Sequence, residues 1–180
     1  MNIFGVLSMG KWRLHETSMS AMLSYLINPN QDHGLGWRFL KSFLELANEK
    51  GIYSQYLQKL ERGELKFDID LEVPYSSNNK RSDIDVQIKI CDSNWNELHR
   101  IIIENKIKSA AANPEQLAEY YNVVLNDKEN YIDLDAKNLS VIFLTPDLNH
   151  ENLKAEFENL NINENKVWND PNKVDKLLVS

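Results

Sequence analysis

The chain has 180 residues, of which 42% are apolar and 26% are charged, values typical of one soluble globular domain with a substantial core. No apolar run approaches the roughly 20 residues of a membrane-spanning helix, and the net charge of −7 excludes binding of nucleic acid through overall positive charge. Phosphate binding would therefore require a local basic patch or metal ions held by carboxylates. We expect a single domain over residues 1–180.

The first part of the chain predicts three helices. The segment HETSMSAMLSYLI has apolar residues at helical spacing and ends at NPN. The second, DHGLGWRFLKSFLELANEK, is entered through two glycines, and the third, YSQYLQKLERG, is shorter. The predicted apolar face of the second helix comprises Phe39, Leu40, Phe43, Leu44 and Leu46.

The middle of the chain changes to the alternating pattern of strands. ELKFDIDLEVPY, RSDIDVQIKI and LHRIIIENKI are joined by short polar turns, which predicts an antiparallel meander. A helix over Pro114–Leu125 follows, then LSVIFLTP, a continuous apolar strand expected to be buried on both faces. ENLKAEFENL predicts a further amphipathic helix. The final KVDKLLVS is an apolar-rich amphipathic segment without a stop signal, compatible with an N-terminal module of a longer protein.

Charged residues at the ends of two neighbouring strands are candidates for a functional site. Asp83 and Asp85 lie two residues apart on one strand, and Glu104 and Lys106 share a face of the next. One of the aspartates can therefore lie beside Glu104, and a divalent cation between the carboxylates would relieve their repulsion. The alternative is a solvated salt bridge worth about 0–1 kcal/mol. The apolar run RIIIENKI favours a site, because charges at the end of a central strand are costly without a purpose.

These residues resemble the PD-(D/E)XK nuclease superfamily, the fold of many restriction endonucleases. In that family an acid lies on the second core strand, here Asp85, and a (D/E)-x-K motif lies on the third, here Glu104 and Lys106. The segment DVQI favours Asp85, and Asp83 stays an alternative ligand. The resemblance implies an α/β fold with a restriction-endonuclease-like αβββαβ core, in which helices flank a mixed central sheet.

One bacterial branch of this family carries further matching features, and together they extend the resemblance over residues 15–145. The branch has a glutamate on its first helix, here Glu16, and an HGxG segment, here beginning at His33. Its QxxxY signature on the helix after the third strand matches Gln116 and Tyr120.

The resemblance implies hydrolysis of phosphodiester bonds with Mg²⁺, for which Mn²⁺ is expected to substitute. Asp85, Glu104 and the main-chain carbonyl of Asn105 would hold the metal, which would activate a water. Glu16 would bind a second metal or a water on the metal. Lys106 would orient or deprotonate the attacking water, and its charge would offset that of the phosphate.

The resemblance also implies residues that contact the substrate. Gln116 would hold the lysine or a phosphate oxygen, and Tyr120 would join the same network; the alternative is that both belong to a core face. His33 is either structural or substrate-facing. The candidate phosphate contacts are Lys11, Arg13, Arg38, Lys80, Arg81, Lys106 and Lys108.

Several other functions lack their motifs. No second His or Cys stands at zinc-ligand spacing, and no glycine-rich loop of the P-loop kind occurs. A lone cysteine, Cys91, gives no disulfide framework and fits a reducing compartment. We do not read a signal peptide in the N-terminal residues, so a cytoplasmic location without a membrane partner is expected.

The leading interpretation is a metal-dependent DNA endonuclease, and a role as an anti-phage defence effector is drawn by analogy alone. The alternative is a catalytically idle nuclease-like fold that binds nucleic acid or acts in assembly. The presence of Asp85, Glu104 and Lys106 favours activity. Nothing in these residues separates DNA from RNA. Self-association, or association with a regulatory domain or subunit, is a further expectation.

Overall fold

The computed structural model describes residues 16–48, 51–77, 80–105, 138–144 and 175–179. Within these ranges, α1 (Glu16–Ile27), α2 (Arg38–Leu46) and α3 (Ser54–Glu61) precede the strands β1 (Lys66–Ser77), β2 (Lys80–Cys91), β3 (Glu97–Asn105), β4 (Leu139–Leu144) and β5 (Asp175–Val179). The three predicted helices and four predicted strands are confirmed. The helices predicted in Pro114–Leu125 and in ENLKAEFENL lie outside the described residues.

The five strands form one mixed sheet in the order β1-β2-β3-β4-β5. The β1–β2 and β2–β3 pairs are antiparallel, whereas β3–β4 and β4–β5 are parallel. The predicted meander is therefore confirmed. Strand β3 lies at the centre of the sheet, where its antiparallel and parallel halves meet.

One face of the sheet packs against the helices. The side chains that alternate inward along β2 and β3 join a single core cluster with residues of all three helices; its strand members include Val86, Ile88, Ile90, Ile101 and Ile103. Full burial of such an aliphatic side chain contributes about 1.5–3 kcal/mol. This core fixes the register of β2 against β3, because a slip by one residue would turn the core side chains of one strand to the other face.

The apolar face of α2 differs in one position from the prediction. Leu40, Phe43 and Leu44 are buried as expected, but Leu46 is 62% exposed, so its assignment to the core was wrong. The buried position is Ala47, which completes the i, i+3, i+4, i+7 spacing that starts at Leu40.

Strand β4 is buried over Leu139–Phe143, which confirms the prediction of a strand covered on both faces. Its one hydroxyl, on Ser140, lies 2.7 Å from Nε2 of His99 on β3. His99 is itself buried, with the rings of Tyr53 and Tyr56 at 5.7 and 5.3 Å. Burial lowers the pKa of His99 to about 4, so the imidazole is neutral at pH 7.

Strand β5 was not predicted as a strand. Residues Asp175–Val179, within the segment KVDKLLVS, pair in parallel with Ser140–Leu144 of β4. Five residues that include an aspartate and a lysine carry too short a pattern to identify a parallel strand, whose partner is distant in sequence. Among the described helices, none combines the length and apolarity needed to cross a bilayer.

Candidate active site

The second face of the sheet carries the polar residues that alternate with the core isoleucines. On this face Gln87 pairs with Ile102. The β2–β3 ladder ends at the Val86–Ile103 pair, and one further step would place Asp85 opposite Glu104. Directly opposed residues in an antiparallel pair have Cβ atoms about 4.5–5.5 Å apart. The register therefore directs two carboxylates to one face at the end of the central strand.

A hydrogen bond fixes the Asp85 carboxylate at this position. The main-chain N–H of Asn105 donates to Oδ2 of Asp85 at 2.8 Å, so this side chain accepts a main-chain hydrogen bond just beyond the last pair of the β2–β3 ladder. Asp83, two residues earlier, has an exposed side chain and lies opposite Pro74 on β1. The geometry thus favours Asp85 over Asp83 as the acid that accompanies Glu104.

Pairing on the other side of Asp85 is also interrupted. Leu71 pairs with Val86 and Val73 with Ile84, but the intervening Glu72–Asp85 pair is absent from the ladder. Glu72 has a φ of 45°, a left-handed conformation that costs a non-glycine residue on the order of 1–3 kcal/mol. The strained backbone therefore lies directly beside the candidate acid.

The environment of Glu104 differs from that of Asp85. Glu104 is 2% exposed and lies between β2 and β4, where its partner in the register is Phe143. A carboxylate removed from water stays ionised only when a cation or hydrogen-bond donors compensate for the lost solvation. This position therefore suits a carboxylate that works together with a positive charge.

Helix α1 is anchored to the end of β3 by two buried side chains. Nδ2 of Asn105 donates to Oγ of Ser20 at 3.2 Å, and that hydroxyl donates to the main-chain oxygen of Glu16 at 3.0 Å. The first turn of α1 is thereby held against the end of β3. Sequence reasoning missed the contact of Ser20, which is one of two buried serines on the inward side of α1.

One carboxylate oxygen of Glu16 is buried. Oε1 of Glu16 is shielded from solvent and accepts no hydrogen bond within the described parts of the chain. Such an oxygen is costly unless a cation or donor completes it. Since Ser20 ties this turn to Asn105, the placement is compatible with the predicted contribution of Glu16 to the site.

The oxygen atoms that could act as metal ligands at this site fit a hard divalent cation. Carboxylate and carbonyl oxygens are the ligands of Mg²⁺ and Mn²⁺, and Mg²⁺ commonly takes one or two carboxylates while keeping several waters. Within the described ranges, no three His, Cys, Asp or Glu residues are gathered as a metal cluster. Glu16 therefore does not complete a three-carboxylate cluster with Asp85 and Glu104, and the metal assignments remain predictions.

A partly buried polar network stabilises the same face of the sheet. The Arg100 guanidinium donates to both carboxylate oxygens of Glu97 and, at 3.5 Å, to Oε1 of Gln87. Lys89 donates to Asp68 at 2.8 Å and to Asp70 at 3.0 Å. Burial lowers the pKa of Lys89, but its bonds to the two aspartates outweigh that effect, and the net shift is upward. These contacts join β1, β2 and β3 beneath the candidate acids.

His33 has both ring nitrogens engaged by the main chain. The N–H of Leu35 donates to Nδ1 at 3.0 Å, and Nε2 lies 2.9 Å from the carbonyl oxygen of Asn28. Since Nδ1 accepts, Nε2 carries the proton and donates. This geometry favours the structural alternative for His33, which joins the end of α1 to the following loop.

The remaining predicted residues cannot be placed at the site. Lys80 and Arg81 lie on β2 opposite Ser77 and Ser76, in a stretch where the backbone alone is described, and Arg38 is the first residue of α2. The others lie outside the described residues: Lys11, Arg13, Lys106, Lys108, Gln116 and Tyr120. Their roles remain predictions.

Comparison with known proteins identifies the family. A family model described as the PD-(D/E)XK nuclease superfamily matches residues 1–174, and the mixed sheet flanked by helices agrees with the restriction-endonuclease-like fold. No curated protein and no solved structure matches the chain. The motif pattern of one bacterial branch stays a prediction, but the family match covers nearly the whole chain. The chain belongs to the PD-(D/E)XK nuclease superfamily.

Proposed function

We propose that the chain is a metal-dependent endonuclease that hydrolyses phosphodiester bonds of DNA. The observation that carries this proposal is the bond that fixes Asp85 to the main chain of Asn105, directly after the buried Glu104. Membership of a nuclease superfamily implies a nucleic acid substrate. Mg²⁺ is the proposed cofactor, with Mn²⁺ as a substitute.

Asp85, Glu104 and the main-chain carbonyl of Asn105 would hold the cation. When bound, it would supply Lewis-acid stabilisation of the charge that develops on the phosphate. Asn105 is held by its N–H to Asp85 and by its side chain to Ser20, which limits the reorganisation needed at this corner of the site.

The proton transfer is assigned to residues after β3. Lys106 would position or deprotonate the attacking water through Nζ, and Gln116 would orient that amine or a phosphate oxygen. Glu16 would bind a second metal or a water on the first. Tyr120, Lys108 and Arg81 are proposed to contact the substrate, and these roles follow from the family resemblance.

Supercoiled plasmid incubated with Mg²⁺, with Mn²⁺ or with chelator tests the proposal. We expect nicking or linearisation with either metal and none with chelator. Glu104→Gln, which removes a charge with little change in shape, should abolish cleavage. Glu45→Gln, an exposed acid on α2, is the matched control and should cleave normally.

Other outcomes of this experiment identify the alternatives. Cleavage of single-stranded RNA but not of DNA would show that the substrate is RNA and not the DNA proposed here. Binding of nucleic acid with no cleavage in either metal would favour the catalytically idle module. The proposed defence role rests on analogy with restriction endonucleases, and expression of the active protein should lower phage plaque counts relative to Glu104→Gln.

A further inference from the structure

A second concave surface lies on the helical side of the sheet. A cavity of about 450 Å³ is bordered by the loop after α1, the start of α2, the end of α3 and the start of β1. Its lining includes Trp37, Trp95, Asn30 and Lys66. We call it the tryptophan groove. Its volume lies within the range of small-molecule sites.

The two tryptophans are unusually accessible for such large apolar side chains. Trp37 is 41% exposed and Trp95 is 55% exposed. Trp95 also has a φ of 67°, a conformation that is rare for bulky residues. An exposed indole gains little from burial, so packing does not explain why this strained residue is a tryptophan.

The turn between β2 and β3 holds Trp95 in this conformation. The Asp92 carboxylate accepts hydrogen bonds from the main-chain N–H of Asn94 at 2.8 Å and of Asn96 at 2.9 Å. It also accepts one from Nδ2 of Asn96 at 2.9 Å, and these bonds lower the pKa of Asp92. The indole is thus presented at the groove by a preorganised turn.

The charges at the groove favour an anionic ligand. Among the described residues that line it, Lys66 is the charged one, and its ammonium lies 4.9 Å from the Trp95 ring centroid. Lys41 lies 5.7 Å from the Trp37 ring, but it is paired with Glu61 at 2.6 Å. A ligand with a flat aromatic part and one negative group matches two indoles and a lysine.

We propose that the tryptophan groove binds an unpaired nucleotide of single-stranded nucleic acid. The base would stack on an indole, and Lys66 would contact the adjacent phosphate. The amide of Asn30, which donates to the Phe67 carbonyl at 3.4 Å, would present its oxygen to a base edge. The inference deepens the proposed function, because the same polynucleotide would occupy both sites.

The groove is separate from the candidate active site. Trp95 precedes β3, whereas Glu104 lies near the end of that nine-residue strand. At about 3.3 Å per residue the strand spans roughly 25 Å. The groove would therefore hold a nucleotide away from the bond that is cleaved, and it would raise affinity without taking part in the chemistry.

Binding measured in chelator separates this proposal from catalysis. The probe is a fluorescein-labelled single strand of about 20 nucleotides, longer than the roughly 4–16 nucleotides of typical single-strand sites. Trp95→Ala should weaken binding by about fivefold to 150-fold, the equivalent of the 1–3 kcal/mol per stacked base. Trp95→Phe should retain most of the affinity. Leu46→Ala, at an exposed apolar position of α2 outside the groove, is the control and should bind as the wild type does.

Trp37→Ala provides a second test should Trp95→Ala fail to fold. Unchanged affinity in folded Trp37→Ala, or in folded Trp95→Ala, would overturn the proposal. Failure of the wild-type protein to bind any oligonucleotide would also overturn it, and would favour a protein as the partner of the groove. A blunt duplex should lose little affinity in Trp95→Ala, since its bases are already stacked; equal losses for duplex and single strand would also contradict the proposal.

The two proposals fail in different ways. Hydrolysis of a small chromogenic phosphodiester, too short to reach the groove, reports on the candidate active site alone. Metal-dependent hydrolysis without tryptophan-dependent binding would sustain the endonuclease and overturn the groove. Tryptophan-dependent binding without hydrolysis of any phosphodiester would sustain the groove and overturn the endonuclease.

Discussion

Asp85 and Glu104 are two carboxylates with different environments. Asp85 is half-buried and held by a main-chain N–H, whereas Glu104 is almost fully buried on the central strand. Sequence reasoning anticipated the juxtaposition because strand alternation and a short turn leave few registers that also bury the isoleucines. Sequence reasoning could not anticipate the hydrogen bond from the N–H of Asn105 to Asp85, because this bond depends on where the backbone pairing of β2 with β3 ends.

Replacing the two motif residues should separate metal binding from catalysis. Glu104→Ala should abolish both, because it removes one of the few fixed negative charges for a hard cation. Lys106→Ala should leave metal affinity largely intact and lower cleavage by about 10²–10⁴-fold, the usual contribution of a proton-transfer group. Calorimetric metal titration and plasmid nicking measure the two effects. Full cleavage by Lys106→Ala would contradict the mechanism.

Helix α1 is the element whose docking matters most to the candidate site. Its hydrophobic contacts place it on the sheet, but the Ser20–Asn105 bond sets which turn meets the end of β3. The sequence predicted the helix and its glutamate. It did not predict this contact, because the two polar residues are 85 positions apart and neither belongs to a recognisable motif.

Ser20→Ala tests this docking. Loss of the hydroxyl leaves the buried Nδ2 of Asn105 without its acceptor, which should lower the free energy of unfolding by about 1–3 kcal/mol. If Ser20 positions the site, the metal concentration for half-maximal cleavage should also rise in protein that remains folded. Ser24→Ala, one turn later on α1 and also buried, should leave that concentration unchanged. A loss of stability with no change in metal dependence would show a purely structural role.

At the scale of the whole molecule, the sheet was largely predictable from sequence, with the exception of one edge strand, β5. Long alternating strands and short turns specify β1, β2 and β3, and the apolar run of β4 specifies burial. Strand β5 pairs with a partner about 35 residues away, since Asp175 lies opposite Ser140. Local periodicity in the sequence does not indicate such a long-range pairing. The buried Arg100–Glu97 pair was missed for a related reason, because charges in a strand pattern indicate exposure rather than a satisfied interior.

His99 couples the stability of the whole fold to pH. Its pKa is about 4 in the folded state and near 6.5 when unfolded, so the unfolded chain binds more protons between these values. The stabilisation is complete above pH 6.5 and is lost as the pH falls towards 4. Between pH 7 and pH 5 the loss should be about 2 kcal/mol.

Urea unfolding followed by circular dichroism at pH 5, 6 and 7 measures this loss. His99→Gln removes the titrating group and should flatten the dependence of stability on pH. Ser140→Ala removes the hydrogen-bond partner but keeps the imidazole, so it should retain most of the slope. An unchanged slope in His99→Gln would assign the acid sensitivity to other groups.

The two hydrogen bonds of Asn105 close chain segments of very different length. The bond to Asp85 spans 20 residues, whereas the bond to Ser20 spans 85. The entropy of loop closure grows with the logarithm of loop length, so the longer closure costs about 1.3 kcal/mol more. This extra entropic cost arises because α1 is far in sequence from β3, whereas β2 and β3 are joined by a short turn and pair over a short loop. Asn105 therefore takes part both in the contact with the small closure entropy, to Asp85, and in the contact with the large one, to Ser20.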